Sequence, residues 1–176
     1  MKIQTERLEL VPFSCEHYKT ALRYSTDPEN TSMMCFLPCD NGEEVMDYLK
    51  KCEKQWQLDA PEYLDAAILL DGVHIGSVSI ELLDNGRTGE LGWIIDKAYW
   101  GKGYAPEAAA AYMEYFRKRF GITNYIAHAD AENTASRRVM EKLGMKCRSV
   151  HGGRKNRISE EERMECLYEM DMNLNP

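Results

Sequence analysis

The chain reads as an α+β protein built on one mixed β-sheet. Three strand-like runs follow one another, at Tyr63–Leu70, Val73–Leu82 and residues 88–96, and the turn pairs between them are Asp71-Gly72 and Asp84-Asn85-Gly86. After them the pattern alternates strand, helix, strand, helix, strand, strand. A helix joins residues 88–96 to Ile122–Ala129, so those two strands should be parallel neighbours with a right-handed crossover. With 176 residues and no internal repeat, residues 1–176 make one domain around a single sizeable core.

Each element has its own local signal. Ile3, Thr5, Leu8, Leu10 and Val11 ahead of Pro12 predict one N-terminal strand. Ser14 suits the start of a helix through Tyr18, Ala21 and Leu22 that stops before Asp27-Pro28. Residues 28–42 are irregular but apolar, with Met33, Met34, Phe36 and Leu37, so they cover either the core or a substrate wall. Val45, Leu49, Cys52 and Trp56 recur at helical spacing. Ala109, Tyr112, Met113 and Phe116 form the inward stripe of the helix from about Ala105, and Gly121 stops it. Asn133 opens a helix to Leu143 that Gly144 caps. A strand near Met145–Val150, a charged loop at 151–163 and a strand near Met164–Met172 complete the chain.

Composition excludes several function classes. A net charge of −7 argues against broad nucleic-acid binding, which needs a basic surface. No apolar run approaches the ~18–20 residues of a membrane span, and Met1-Lys-Ile-Gln-Thr-Glu6 lacks the apolar centre of a signal peptide. Both point to a cytoplasmic protein. The six cysteines are scattered, and Cys35-x-x-x-Cys39 has no second ligand pair at zinc spacing, so reduced thiols and no metal are expected.

The most informative stretch is Glu90-Leu-Gly-Trp-Ile-Ile-Asp-Lys-Ala-Tyr-Trp-Gly-Lys-Gly-Tyr-Ala-Pro-Glu-Ala108. It runs from a buried strand through Gly101 and Gly103 into a helix start, with Pro106 suited to a first helical position. Glycine permits sharp backbone turns and close approach of a ligand. The first helical turn leaves amide N–H groups unpaired at the positive end of the dipole. Together they make an anion cradle, most often for phosphate. No Walker string is present, and Pro106 stands where a dinucleotide fingerprint needs its last glycine. A nucleotide-binding protein of another fold remains a weaker alternative.

Tyr99-Trp-Gly-Lys-Gly-Tyr-Ala-Pro-Glu-Ala108, followed by Asn133-Thr-Ala-Ser136 and Glu141-Lys-Leu-Gly-Met145, resembles the GNAT family of acetyl-CoA-dependent N-acetyltransferases. The resemblance is greatest to the branch of ribosomal-protein N-terminal acetyltransferases (RimJ/RimL-type), whose first strand Thr5-Glu-Arg-Leu-Glu-Leu10 also resembles. It implies the GNAT acyl-CoA N-acyltransferase fold, with a mixed central sheet flanked by helices and a pantetheine arm lying where two strands splay apart. Gly92 is compatible with a bulge in the first of these strands. The resemblance further implies that backbone amides of Trp93, Ile94 and Ile95 hold the pantetheine, and that Trp100, Gly101, Lys102, Gly103, Tyr104, Ala105 and Pro106 form the pyrophosphate loop. The implied cosubstrate is acetyl-CoA. The implied acceptor is a small-molecule amine or a peptide or protein N-terminus, with no nucleic acid or membrane partner and a monomeric or homodimeric state.

Acetyl transfer to an amine needs a base, donors for the oxyanion and, for some leaving groups, an acid. Glu90 is polar at the start of an apolar strand, and is either a base or a solvated strand-end charge. His128, on the facing strand, titrates nearer neutrality and is either a base or a surface histidine. Asn133 is a preferred N-cap residue, to which the resemblance adds a bond to the pantetheine. Ser136, one turn on, is expected near the sulfur. Met140 stands where many family members carry an acidic tyrosine, so position 140 is expected to face the sulfur without supplying a proton. That departure keeps open a non-catalytic acetyl-CoA-binding module. Glu107 reads as a charge favourable to the helix dipole rather than a substrate contact, Arg137, Arg138 and Lys142 as a solvated face rather than contacts to the remote phosphate of coenzyme A, Trp93, Trp100 and Tyr104 as packing around the loop, and His74 as structural.

Overall fold

A computed structural model describes residues 1–173. Eight strands form one sheet: β1 (Ile3–Gln4), β2 (Leu8–Pro12), β3 (Tyr63–Leu70), β4 (Val73–Leu83), β5 (Thr88–Ile95), β6 (Asn124–Asp130), β7 (Lys146–Arg154) and β8 (Arg163–Asp171). Their order across the sheet is β1-β2-β3-β4-β5-β6-β8-β7. Only β5 and β6 run parallel, as the helical crossover requires. The helices are α1 (Tyr18–Ser25), α2 (Pro28–Thr31), α3 (Gly42–Gln55), α4 (Tyr104–Phe120) and α5 (Thr134–Lys142). This is the expected single α+β domain.

The sheet carries a core on each face. On one, Ala108, Ala109, Tyr112, Met113 and Phe116 of α4 pack on Leu8, Leu10, Ile80 and Leu91. These helical residues recur at the spacing that puts them on a single stripe. On the other face α1 and α3 bring Ala21, Tyr24, Val45, Leu49 and Cys52 against Phe13, Ala67 and Ile94. Each wholly buried large side chain contributes roughly 1.5–3 kcal/mol by leaving water. The Asp71-Gly72 hairpin forms with both residues at positive φ, 49° and 78°, as a tight two-residue turn demands. All six cysteines are free.

Several expectations are corrected. The N-terminal strand is broken into β1 and β2 because the Thr5 hydroxyl turns to donate to Glu107 Oε1 (2.6 Å) and accept from the Leu8 N–H (2.8 Å). The first helix is preceded by a 3-10 turn at Cys15–His17. Residues 28–31, expected to be irregular, form α2, whose N-cap Asp27 accepts from Glu29 and Asn30 amides. Helix α4 begins at Tyr104, which puts Pro106 third rather than first. β7 extends to Arg154, well into the expected loop. The β4–β5 register runs without a break from Gly76↔Ile95 to Leu83↔Thr88, so Gly92 makes no bulge. A Cβ there would lie 2.6 Å from Ser79 Oγ.

The strand pair β5–β6 positions everything that follows. It is joined only at Thr88↔Asn124, Gly89↔Tyr125 and Glu90↔Ile126. Beyond Glu90 both strands continue but no longer pair, so a wedge opens between them toward the C-terminal end of β5.

Candidate active site

The wedge exposes selected backbone groups. The Asp96 amide donates to the Ile75 carbonyl at 2.8 Å, which makes that a hydrogen-bonded pair of the β4–β5 ladder. Alternation along an antiparallel ladder then turns the N–H groups of Trp93 and Ile95 away from β4 and into the wedge. Ile94 points its N–H the other way, toward β4, and so leaves the expected set of three. The Ile95 carbonyl is already engaged, accepting from Trp100 Nε1 (2.7 Å) and Asn30 Nδ2 (3.2 Å). Trp100 is therefore a half-exposed clamp on the strand end, whereas Trp93 and Tyr104 pack against the α4-side core.

At the wide end lies the glycine loop. Gly101 and Gly103 have φ of 76° and 80°, the left-handed region that other residues avoid. Gly103 is the N-cap of α4 and offers no side-chain cap, whereas α2, α3 and α5 are capped by Asp27, Asn41 and Asn133. The first amides of a 17-residue helix are thus left for an external acceptor. A Cβ at Gly103 would meet only Arg7 Nη2, at 3.5 Å. Arg7 also donates from Nη1 to the Lys102 carbonyl (2.9 Å) and pairs with Glu107 at 2.6 Å. Burial works to raise the Glu107 carboxyl, but bonds from Thr5 and Arg7 outweigh it and hold the group below the usual carboxylate range. Glu107 is a strut between α4 and the β1–β2 turn. A cleft of about 500 Å³ opens beside the loop, but its cations are neutralised within the chain, Arg23 by Asp96 and Lys97 by Asp27 and Glu29.

At the narrow end of the wedge, the two candidate bases touch. Glu90 pairs in register with Ile126, and His128 lies two residues further on the same face. Glu90 Oε1 and His128 Nδ1 are 2.9 Å apart, with the side chains 32% and 29% exposed. The hydrogen bond from Glu90 raises the His128 pKa above its ordinary value, with burial opposing. A carboxylate only accepts, so Nδ1 carries the proton toward Glu90, and Nε2 of the neutral ring keeps its lone pair.

Helix α5 borders the same wedge. Asn133 Oδ1 accepts from the Ser136 amide at 3.0 Å, the N-cap role that its position predicted. Ser136 is half-buried in the first turn. Met140 is wholly buried in the α4-side core, so the expectation that it faces an open sulfur site is corrected. Arg137 is also no solvated charge, since it donates to the Ala131 carbonyl (3.1 Å) and the Tyr168 hydroxyl (3.3 Å). His74 is structural, as expected: its ring is buried against Phe13, His17 and Tyr24, and burial pushes its pKa down to about 4.

The apolar segment after α2 forms a strap over the connection from β7 to β8. Its Met33, Met34 and Phe36 carbonyls accept from Arg154 Nη2 (3.0 Å), the Arg157 amide (2.9 Å) and Arg157 Nη1 (3.1 Å). Asn156 Nδ2 donates to Asp130 Oδ2 at 2.6 Å beneath it. Sequence reading missed this buried polar network because residues 151–163 look like an exposed charged loop.

Residues 7–146 match the family model described as an acetyltransferase (GNAT) domain. The chain belongs to the GNAT acetyltransferase family. As a GNAT member it is an acetyl-CoA-dependent N-acetyltransferase. It is similar to the uncharacterized N-acetyltransferase YnaD of Bacillus subtilis, at 30% identity over 146 residues that cover 83% of each chain. The GNAT acetyltransferase structure from Bacillus anthracis shares its fold with a TM-score of 0.85 and 24% identity, covering 98% of this chain and 99% of that one. RimL, a ribosomal L7/L12 α-N-protein acetyltransferase solved in complex with coenzyme A, matches with a TM-score of 0.85 at 14% identity, over 99% and 100% of the two chains. At such identities the structural likeness concerns the fold.

Proposed function

We propose that the chain transfers acetyl from acetyl-CoA to a primary amine by direct attack within a ternary complex, using Glu90 and His128 as one basic unit. The observation that carries this reading is the 2.9 Å Glu90–His128 contact at the closed end of the wedge. Glu90 orients the ring through Nδ1 and stabilises its protonated form, and Nε2 takes the amine proton. Acetyl-CoA supplies an already activated thioester. The loop amides of Gly101 to Ala105 suit its pyrophosphate, and the free N–H groups of Trp93 and Ile95 suit its pantetheine and the developing oxyanion. Ser136 is the side chain of α5 best placed to give a proton to the departing thiolate. The acceptor is a small amine or a peptide N-terminus, facing the strap and the dyad.

A second reading, a non-catalytic acetyl-CoA-binding module, draws on the buried Met140 in place of a phenol. Thiol release from acetyl-CoA, measured with a free N-terminal peptide, its N-blocked form, a polyamine, an aminoglycoside and an amino acid, separates the two. Amine-dependent thiol release that falls at least about tenfold in His128→Gln is expected. Tight acetyl-CoA binding by calorimetry with no thiol release from any amine would instead establish the module.

A further inference from the structure

A second charge pair faces the dyad from the next strand. His128 lies opposite Leu167 of β8, so its diagonal neighbours on that face are Glu165 and Glu169. Diagonal positions are roughly 7–8 Å apart, within the reach of long side chains. Glu169 is held at the rim by Arg148 at 2.7 Å, with side chains 33% and 57% exposed. Glu165 is held by Arg154 at 2.5 Å, where the exposures are only 22% and 8%. Arg154 is locked in turn, donating from Nε to Asn156 Oδ1 (2.9 Å) and from Nη2 to the Met33 carbonyl (3.0 Å). Two opposite charges are thus fixed beside a titrating imidazole, at a depth where salt screens them weakly.

We propose that the Arg154–Glu165 pair is a positioning pair whose opposite charges are balanced at the Glu90–His128 unit, the carboxylate favouring the protonated ring and the guanidinium opposing it, so that loss of either one alone shifts the unit's proton affinity. The field at His128 has that sense. Its pKa is held above the ordinary value, chiefly by the Glu90 hydrogen bond, with burial opposing, Glu165 adding and Arg154 subtracting. The remaining groups on this face are engaged by other partners or, like Glu81, exposed and adjacent to Glu90 rather than to His128. Asp130, on β6 itself, is bound by Arg163 and Asn156. Glu81 of β4 stands opposite Glu90, and His151 of β7 stands opposite Glu165 with Nδ1 against the Gly152 carbonyl (2.8 Å). The strap adds Cys35, whose thiol burial pushes up and which feels Arg154, Glu165 and Asp130.

The catalytic consequence rests on His128 acting as base, but the test reads the ring directly. His128 is titrated by nuclear magnetic resonance, assigned through His128→Gln, in wild type, Glu165→Gln, Arg154→Gln, Arg154→Lys and the Glu165→Gln/Arg154→Gln double variant. Glu165→Gln should lower the midpoint and Arg154→Gln raise it, each by about 0.3–1 unit. Arg154→Lys should leave it near wild type, and the double variant should return close to it. Single variants that move the midpoint in the same direction, or that lower thermal stability with the midpoint unmoved, would reduce the pair to a structural tie and overturn the proposal. Midpoints that shift as expected while the acid limb of kcat/KM stays fixed would uphold the pair and remove His128 from the base role.

Discussion

Glu90→Gln keeps the side-chain shape and removes the charge, so its effect follows from the 2.9 Å contact with His128. Both partners are close to one-third exposed, 32% and 29%, and solvent screening brings the interaction down to about 1 kcal/mol. The contact favours the protonated ring, so the folded His128 pKa lies above the ordinary imidazole value of ~6.5. The stabilisation is complete below that value and is lost as pH rises through the higher folded one. In the variant the acid limb of kcat/KM should move to lower pH, because the bond to Glu90 is the chief cause that raises the His128 pKa. The plateau kcat should fall about tenfold or more, because a neutral amide no longer stabilises the imidazolium as the carboxylate does and, able to donate as well as accept, no longer enforces the Nδ1–H tautomer. Acetyl-CoA affinity should hold, since Glu90 touches no residue of the glycine loop. Thiol-release kinetics across the pH range, with calorimetry for acetyl-CoA, measure all three. The Glu90→Gln/His128→Gln double variant should lose little more than the worse single, as groups that act together do. Superimposable pH profiles for wild type and Glu90→Gln, or fully additive losses in the double variant, would refute a shared base.

Three further substitutions test the remaining parts. Gly103→Val should weaken acetyl-CoA binding about tenfold or more with the fold retained; the nearest side-chain atom, Arg7 Nη2 at 3.5 Å, leaves room, but the left-handed backbone costs ~1–2 kcal/mol and the new side chain sits over the loop amides. Unchanged affinity by calorimetry would sink the cradle. Ser136→Ala should slow turnover by a few-fold to about a hundredfold if it protonates the thiolate, and full activity would mean that the thiolate leaves unassisted. Met140→Tyr, at a fully buried site, should overpack the core by about 1–3 kcal/mol and lower Tm by several degrees without raising kcat; a stable and faster variant would show that a phenol at 140 reaches the reacting sulfur after all.

What could be read from the sequence is what a residue's own neighbours impose. Asp71-Gly72, Gly101, Gly103, Gly121 and Gly144 mark places where the backbone itself needs positive φ, and all adopt it. The inward stripe of α4 follows from helical periodicity, and Asn133 caps α5 because its side chain meets an amide three residues on. Contacts across the sheet are different. Thr5 is broken out of the first strand by Glu107, 102 residues away. Glu90 and His128 were each singled out as rival bases, yet they are one unit only because the β5–β6 register stops at Glu90↔Ile126 and sets both on one face. Met140 is assigned by its distance from Asn133, and the core that encloses it is shared with α4, which is not adjacent in sequence to its own turn of helix. Arg154 and Asn156 sit in a stretch whose charges suggest solvent, but the strap lies over them and supplies carbonyl partners. A buried polar group is affordable only when its partner is present, and here that partner arrives by way of tertiary packing. The glycine loop can therefore be inferred before any strand pairs, whereas the dyad and the charges around it exist only once the register is set.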